Sequence, residues 1–194
     1  MKQLIEVHPL PPFAPEGAKM LMLGSFPPPR ARWKMDFFYP NFQNDMWRIF
    51  GVVFFKDKYY FLTEDQKSFH EAKIRKFLTE KGIALWDTAM EVNRQKGNAS
   101  DKYLEVLRPI DLEQVLSQLP DCRTIVATGQ KALDILLMLT GAKEPKVGSS
   151  TGTVFCSRQL RIYRMPSSSR AYPKPLEEKA VVYKKMFEEI GIAT

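Results

Sequence analysis

Two short proline-containing segments carry the residues whose types and spacing best suit chemistry. Gly24-Ser25-Phe26-Pro27 follows one apolar run, and Met165-Pro166-Ser167-Ser168-Ser169 follows another, with Arg170 next to it. Hydroxyls and backbone N–H groups beside an arginine are the donors a phosphate needs, although a serine run can equally be a turn leading into a helix. Phe37-Phe38-Tyr39-Pro40 lies in a loop just after the first run, where a core has little to gain. It can form a flat pocket that stacks a planar ring. Most of the aromatics between Trp33 and Phe61 are expected in the core. Asn44 and Asp45 precede the apolar Met46-Trp47 pair, a spacing that favours helix capping over catalysis. Asp87 closes the apolar run Ile83-Ala84-Leu85-Trp86.

Several other machineries lack their signatures. There is no GxSxG elbow, and no histidine is spaced to activate Ser25. The turn at Gly129 has neither Walker nor GxGxxG spacing. Two cysteines and two histidines, His8 and His70, are too few for an ordinary zinc or iron–sulfur site, so no metal and no cofactor are expected. His70 lies four residues before Ile74 and reads as a packed or surface histidine. Cys122 and Cys156 sit at apolar strand edges and read as buried free thiols in a reducing compartment.

The elements that must position these residues alternate between strand and helix. Lys19–Leu23, Ile83–Trp86, Arg123–Thr128 and Leu160–Met165 are apolar runs that predict buried strands. Gly152–Phe155 is placed to pair with the last as a hairpin. Helices are expected over Asp45–Phe50, from Thr63 to Gly82 (Thr63 and Gln66 have capping-box spacing), from Asp111 to Leu119, and from Gly129 to Leu139. A last helix carries Leu176, Ala180, Tyr183, Phe187 and Ile190 as one apolar stripe. Residues 93–108 are polar and basic and read as a loop. This order predicts a three-layer α/β/α sandwich with a mainly parallel, four-stranded central sheet. In such sheets ligands bind at the carboxyl ends of the strands, where both proline segments fall.

At 194 residues and 44% hydrophobic content the chain can bury one core, so residues 1–194 are expected to form a single domain, with 1–17 a proline-rich lead-in. No run of 18 apolar residues and no secretory leader is present, which points to a cytoplasmic protein without a membrane partner. The net charge of +7 suits a polyanionic partner.

Taken together, the segments resemble the uracil-DNA glycosylase superfamily, most closely its hypoxanthine-DNA glycosylase branch and next the mismatch-specific uracil/thymine branch. The likeness runs from Lys19 to the last helix through Leu23–Pro27, Phe38-Tyr39, Asn44–Trp47, Gly82–Asp87, Thr128–Ala132 and Met165–Ser169, in the family's order. The resemblance implies a monofunctional glycosylase that flips a deaminated or mismatched base, hypoxanthine or uracil, out of DNA and hydrolyses its N-glycosidic bond. It implies that Gly24, Ser25, Phe26 and Pro27 line the base pocket and that Tyr39, with Phe38, stacks on the base. Asn44, or its neighbour Asp45, would position the attacking water. Asp87 would accept a ring N–H, which uracil and hypoxanthine both offer. Met165, Pro166, Ser167, Ser168, Ser169 and Arg170 would form the loop that pinches the DNA. A monomer is expected, since one domain can hold this chemistry.

The chain departs from the family pattern at several places, among them Pro28-Pro29-Arg30 in place of a glycine-containing turn. Phe26 stands where many branches carry Asn or Asp, Met165 where uracil-specific enzymes carry histidine, and Phe42 where a proline usually precedes the catalytic amide. These changes leave a catalytically weak or inactive nucleic-acid-binding relative as the alternative. A nucleotide- or nucleoside-metabolising enzyme of the same fold class is the third reading.

Overall fold

The computed structural model describes residues 5–94 and 101–194. Its centre is a five-stranded sheet of β2 (Met20–Gly24), β3 (Ile83–Asp87), β6 (Thr124–Thr128), β7 (Ser149–Phe155) and β8 (Arg158–Met165), ordered β3-β2-β6-β8-β7. The first four in that order run parallel, and β7 joins β8 as an antiparallel hairpin, adding a fifth strand to the four expected.

Strict alternation along the parallel strands feeds two cores. Met20, Met22, Ile83, Leu85, Val126, Tyr163 and Met165 face helices α1 (Met46–Phe55), α2 (Glu71–Lys81) and α5 (Leu176–Glu189). Leu21, Leu23, Ala84, Ile125, Ala127, Leu160 and Ile162 face α3 (Leu112–Ser117) and α4 (Gln130–Thr140). Both faces are covered, which is why these strands read as continuous apolar runs and not as alternating ones. The layers are helix, sheet, helix, as the element order implies.

A second, antiparallel sheet lies across the carboxyl end of β3. It contains β1 (Ile5–Val7), β4 (Ala89–Arg94) and β5 (Leu104–Pro109) in the order β1-β4-β5. This corrects the loop expected over residues 93–108, of which 95–100 lie outside the described residues. Leu104 and Val106 turn one face of β5 toward Val92 and Ile135, while Leu107 stays exposed. Flanking lysines and arginines obscured that period of two.

Three other expectations are revised. The second helix begins at Glu71, not Thr63: Thr63 Oγ1 bonds Asp65 and Ser68 in a turn, and Gln66 takes φ +54°. His70 caps that helix, its Nδ1 accepting from Lys73 N–H at 3.4 Å. Cys156 is exposed at the β7–β8 turn with φ +47°, whereas Cys122 is buried; both are free. Phe37 and Phe38 are core residues despite their loop, packed edge to face at 5.2 Å.

Candidate active site

Four strand ends meet side by side. Gly24 is in register with Asp87, and Thr128 with Met165, so β2, β3, β6 and β8 finish at one level. Crossing hydrogen bonds fasten the turn after β2. Thr88 donates to Gly24 O through its N–H (2.9 Å) and its hydroxyl (3.1 Å), Ala89 N–H donates to Ser25 O (3.0 Å), and Thr128 Oγ1 donates to Leu23 O (3.2 Å). Position 24 must be glycine for want of space. A Cβ there would sit 2.6 Å from Asp87 Oδ1 and 3.4 Å from the Tyr39 hydroxyl. Tyr39 adopts φ +52°, unusual for an aromatic residue. Its hydroxyl shares a 2.8 Å hydrogen bond with Thr128 Oγ1, and its ring meets Trp47 edge on.

Above these ends opens a cleft of about 600 Å³. Gly24–Pro28, Phe38–Asn41, Gln43, Asn44 and Asp87 line it. Thr128–Lys131, Ser167–Pro173 and Arg32 also belong to its wall. Of the residues singled out from sequence, the structure brings Gly24, Ser25, Phe26, Pro27, Phe38, Tyr39, Asn44, Asp87, Ser167, Ser168, Ser169 and Arg170 to this one cleft. Asp45, Met165 and Pro166 are not part of its lining. Met165 is buried in the core, 1% exposed.

The amide at position 44 caps and faces the cleft at once. Its Oδ1 accepts from Met46 N–H at 2.9 Å, which satisfies one of the free donors at the start of α1. That bond fixes the plane of the amide and leaves Oδ1 a second lone pair. Asp45 makes no capping bond of its own. Its carboxylate instead takes Arg170 Nε at 2.9 Å and Arg48 Nη1 at 3.4 Å. Arg48 is buried and also donates to the Phe42 and Asn44 carbonyls; burial first, and Arg170 second, lower its proton affinity.

The serine loop is held from below by α5. Tyr183 Oη donates to Pro166 O at 3.0 Å, and Lys179 Nζ donates to Ser169 O at 2.8 Å. The two are four residues apart, hence on one helix face. Burial lowers the Lys179 pKa and pushes the Tyr183 phenol well above its ordinary value. Lys179 falls inside the apolar stripe read from sequence, and a single charge in such a stripe is the signal that could have marked it. Within the loop, Ser169 N–H donates to Ser167 Oγ and Ala171 N–H to Ser169 Oγ, both at 3.2 Å.

His8 had no sequence signal at all. It follows β1, donates its N–H to Met90 O at 2.8 Å, and places Nε2 2.9 Å from Asp87 Oδ2. Among the described residues no group of three His, Cys, Asp or Glu side chains is placed to hold a metal ion.

The same arrangement of layers occurs in a known structure. The solution NMR structure of a protein from Methanosarcina acetivorans described as "a putative Uracil DNA glycosylase" matches 94% of this chain and 99% of its own, with a TM-score of 0.59 and 23% identity. The chain has the uracil-DNA glycosylase fold. No protein-family model matches the sequence, and no curated protein does. In this glycosylase fold the cleft opens where parallel α/β sheets generally bind ligands, beyond the carboxyl ends of the strands. No helix among the described residues is long and apolar enough to cross a membrane.

Proposed function

We propose that the chain is a monofunctional DNA glycosylase that hydrolyses the N-glycosidic bond of a flipped, deaminated or mismatched base, hypoxanthine or uracil, in base-excision repair. One observation carries the reading: an aromatic ring (Tyr39), an anchored amide (Asn44) and a carboxylate (Asp87) line one cleft together with Gly24–Pro27 and Ser167–Arg170. The ring supplies a stacking face, the carboxylate an acceptor for a base N–H, and the amide an acceptor for water. Departure of the base leaves an oxocarbenium-like sugar, an electrophile strong enough that water needs orienting more than deprotonating. The C1′–N bond breaks as the base leaves with the electron pair, the water oxygen then bonds C1′, and the water proton passes to solvent. In this scheme Asn44 is the catalytic residue, and Asp45 ties α1 to the serine loop.

The charge behind that loop suits a phosphate. Arg48, Arg170 and Lys179 surround the single carboxylate of Asp45, three cations to one anion. Hydroxyls of the serine loop are then presented over a positive base, as backbone-gripping segments require.

An oligonucleotide panel carrying deoxyinosine or deoxyuridine, incubated with protein and then alkali, tests the reading. Strand cleavage at the lesion is the expected result, and no cleavage in any single strand or duplex would refute it. Two features favour a second reading, a binding relative without activity: Phe26 puts an apolar ring in the first loop, and Asn44 Oδ1 already holds Met46 N–H. Salt-sensitive binding with no base release is its signature.

A further inference from the structure

The N-terminal segment adds a group to the cleft that the proposed chemistry has not used. β1 pairs antiparallel with β4, Val7 opposite Glu91, and this register delivers His8 to the end of β3. His8 and Asp87 are 79 positions apart in the chain, yet their side chains meet at 2.9 Å and are only 3% and 9% exposed. The His8 ring is enclosed by Phe26 (5.4 Å, edge on), Trp86 (6.2 Å, edge on) and Phe38 (6.3 Å). In such apolar surroundings one hydrogen bond fixes an orientation firmly. At the other side of the ring, Nδ1 is 3.0 Å from Leu10 O and 3.2 Å from Leu10 N. The Leu10 N–H can donate to a neutral ring and the Leu10 carbonyl can accept from a charged one. Either way Nε2 carries the hydrogen given to the carboxylate.

The two carboxylate oxygens therefore have different surroundings. Oδ2 is engaged by His8. Oδ1 lies against Gly24, where a Cβ would be 2.6 Å away, and it has no hydrogen-bond partner among the described residues. Asp87 lines the cleft beside Tyr39. We infer that His8 is a positioning residue that holds Asp87 so that Oδ1 faces the cleft as an acceptor-only atom, and that this pair selects bases carrying a ring N–H. Hypoxanthine and uracil have such an N–H at the pairing edge, whereas adenine presents a bare ring nitrogen there. The polarity missing at Phe26 is thereby supplied from the next strand. This inference rests on the glycosylase reading for its substrate class, but its test does not require base release.

The test is equilibrium binding by fluorescence anisotropy to single-stranded oligonucleotides that differ only in one deoxyinosine or deoxyadenosine. Wild type should prefer deoxyinosine by about ten- to a hundredfold, the range for a hydrogen bond to a charged acceptor. His8→Gln, which keeps an N–H near the Nε2 position, should retain that preference, and His8→Phe should lose it. Asp87→Asn is the sharper variant. If His8 holds the carbonyl oxygen, the amide NH₂ faces the cleft and the preference shifts toward deoxyadenosine. Melting temperatures and circular dichroism certify that each variant is folded. Equal binding of the two oligonucleotides by wild type, or an unchanged preference in folded His8→Phe, overturns the inference. A preference without base release would instead overturn the glycosylase reading and leave the pair standing.

Discussion

The main chains of Asn44 and Ser169 pair as an antiparallel bridge, with Asp45 N–H donating to Ser168 O at 2.9 Å. Two segments that both line the cleft are thus one unit, and the Asp45 carboxylate clamps it through partners of very different exposure. Arg48 is 7% exposed at its side chain and Arg170 45%. Asp45→Asn strands the buried Arg48 charge and is expected to cost about 3 kcal/mol in chemical denaturation. Arg170→Ala removes a largely solvated pair and should cost less than about 1 kcal/mol, while weakening DNA binding and lowering its salt dependence by about one counterion. Equal losses of stability in the two variants would contradict the clamp.

Asn44 carries two tasks that substitutions can separate. Asn44→Ala removes both the bond to Met46 and the water acceptor. It should lower stability by about 1 kcal/mol, as loss of a capping group does, and slow base release by about a hundredfold or more. Asn44→Asp keeps an oxygen for both tasks and should restore the stability and much of the rate. Single-turnover kinetics with urea titrations of the same samples checks this. If Asn44→Ala loses stability but keeps its rate, the residue is only a cap.

Gly24 is a steric requirement and not a conformational one, since its backbone lies outside the left-handed region. Gly24→Ala forces the Asp87 carboxylate to move, because 2.6 Å is far inside contact distance. Overpacking of this kind costs about 1–3 kcal/mol, and the displaced oxygen should weaken binding of the lesion-bearing oligonucleotide more than that of an undamaged one. A uniform loss on both would show that the methyl group disturbs the fold and not the base contact.

Much of this was legible in the sequence because a doubly covered parallel strand is a run of apolar residues ended by a glycine, a proline or a polar side chain. Leu23-Gly24, Trp86-Asp87, Thr128-Gly129 and Met165-Pro166 show that pattern, and it leads to the cleft. What escaped was long-range or one-sided. His8 reaches Asp87 through β1, whose Ile5 and Val7 face solvent, so hydropathy gives it no strand signature. β5 shows its packing on a single face amid charged neighbours. Lys179 looked like an interruption of an apolar stripe, and only the loop carbonyl above it explains the charge. Asp45 illustrates a different limit. Chain proximity to Asn44 suggested shared chemistry, whereas the fold gives its carboxylate to two arginines.

The two thiols should separate cleanly with pH. Burial pushes the Cys122 thiol up to about 11 from an ordinary value of 9.0. A folded pKa above the unfolded one means the native state holds the proton more tightly. Stability from this group is fully present below the unfolded value and is lost as pH rises through the folded one, so the window is about 9 to 11. Exposed Cys156 should react with an aromatic disulfide reagent in the native protein, and Cys122 only after denaturant is added. Two thiols reacting at once under native conditions would contradict the burial of Cys122.

The α5 anchors make the last prediction. Tyr183→Phe leaves the buried Pro166 carbonyl without its donor, whereas Lys179→Met removes one of two donors to the Ser169 carbonyl, which keeps Tyr172 N–H at 3.1 Å. Tyr183→Phe should cost about 1–3 kcal/mol, the usual consequence of an unsatisfied buried acceptor, and Lys179→Met about 1 kcal/mol, the net worth of one hydrogen bond. The loss is expected to be local as well, since both carbonyls belong to the serine loop and α5 otherwise packs through Ala180, Met186 and Phe187. Hydrogen exchange should therefore quicken at Asp45 N–H, which donates to Ser168 O, before it quickens in β6 or β8. Lysine also brings charge, so Lys179→Met should weaken oligonucleotide binding in low salt where Tyr183→Phe does not. Matching effects of the two variants on salt-dependent binding would mean that the buried ammonium contributes only a hydrogen bond.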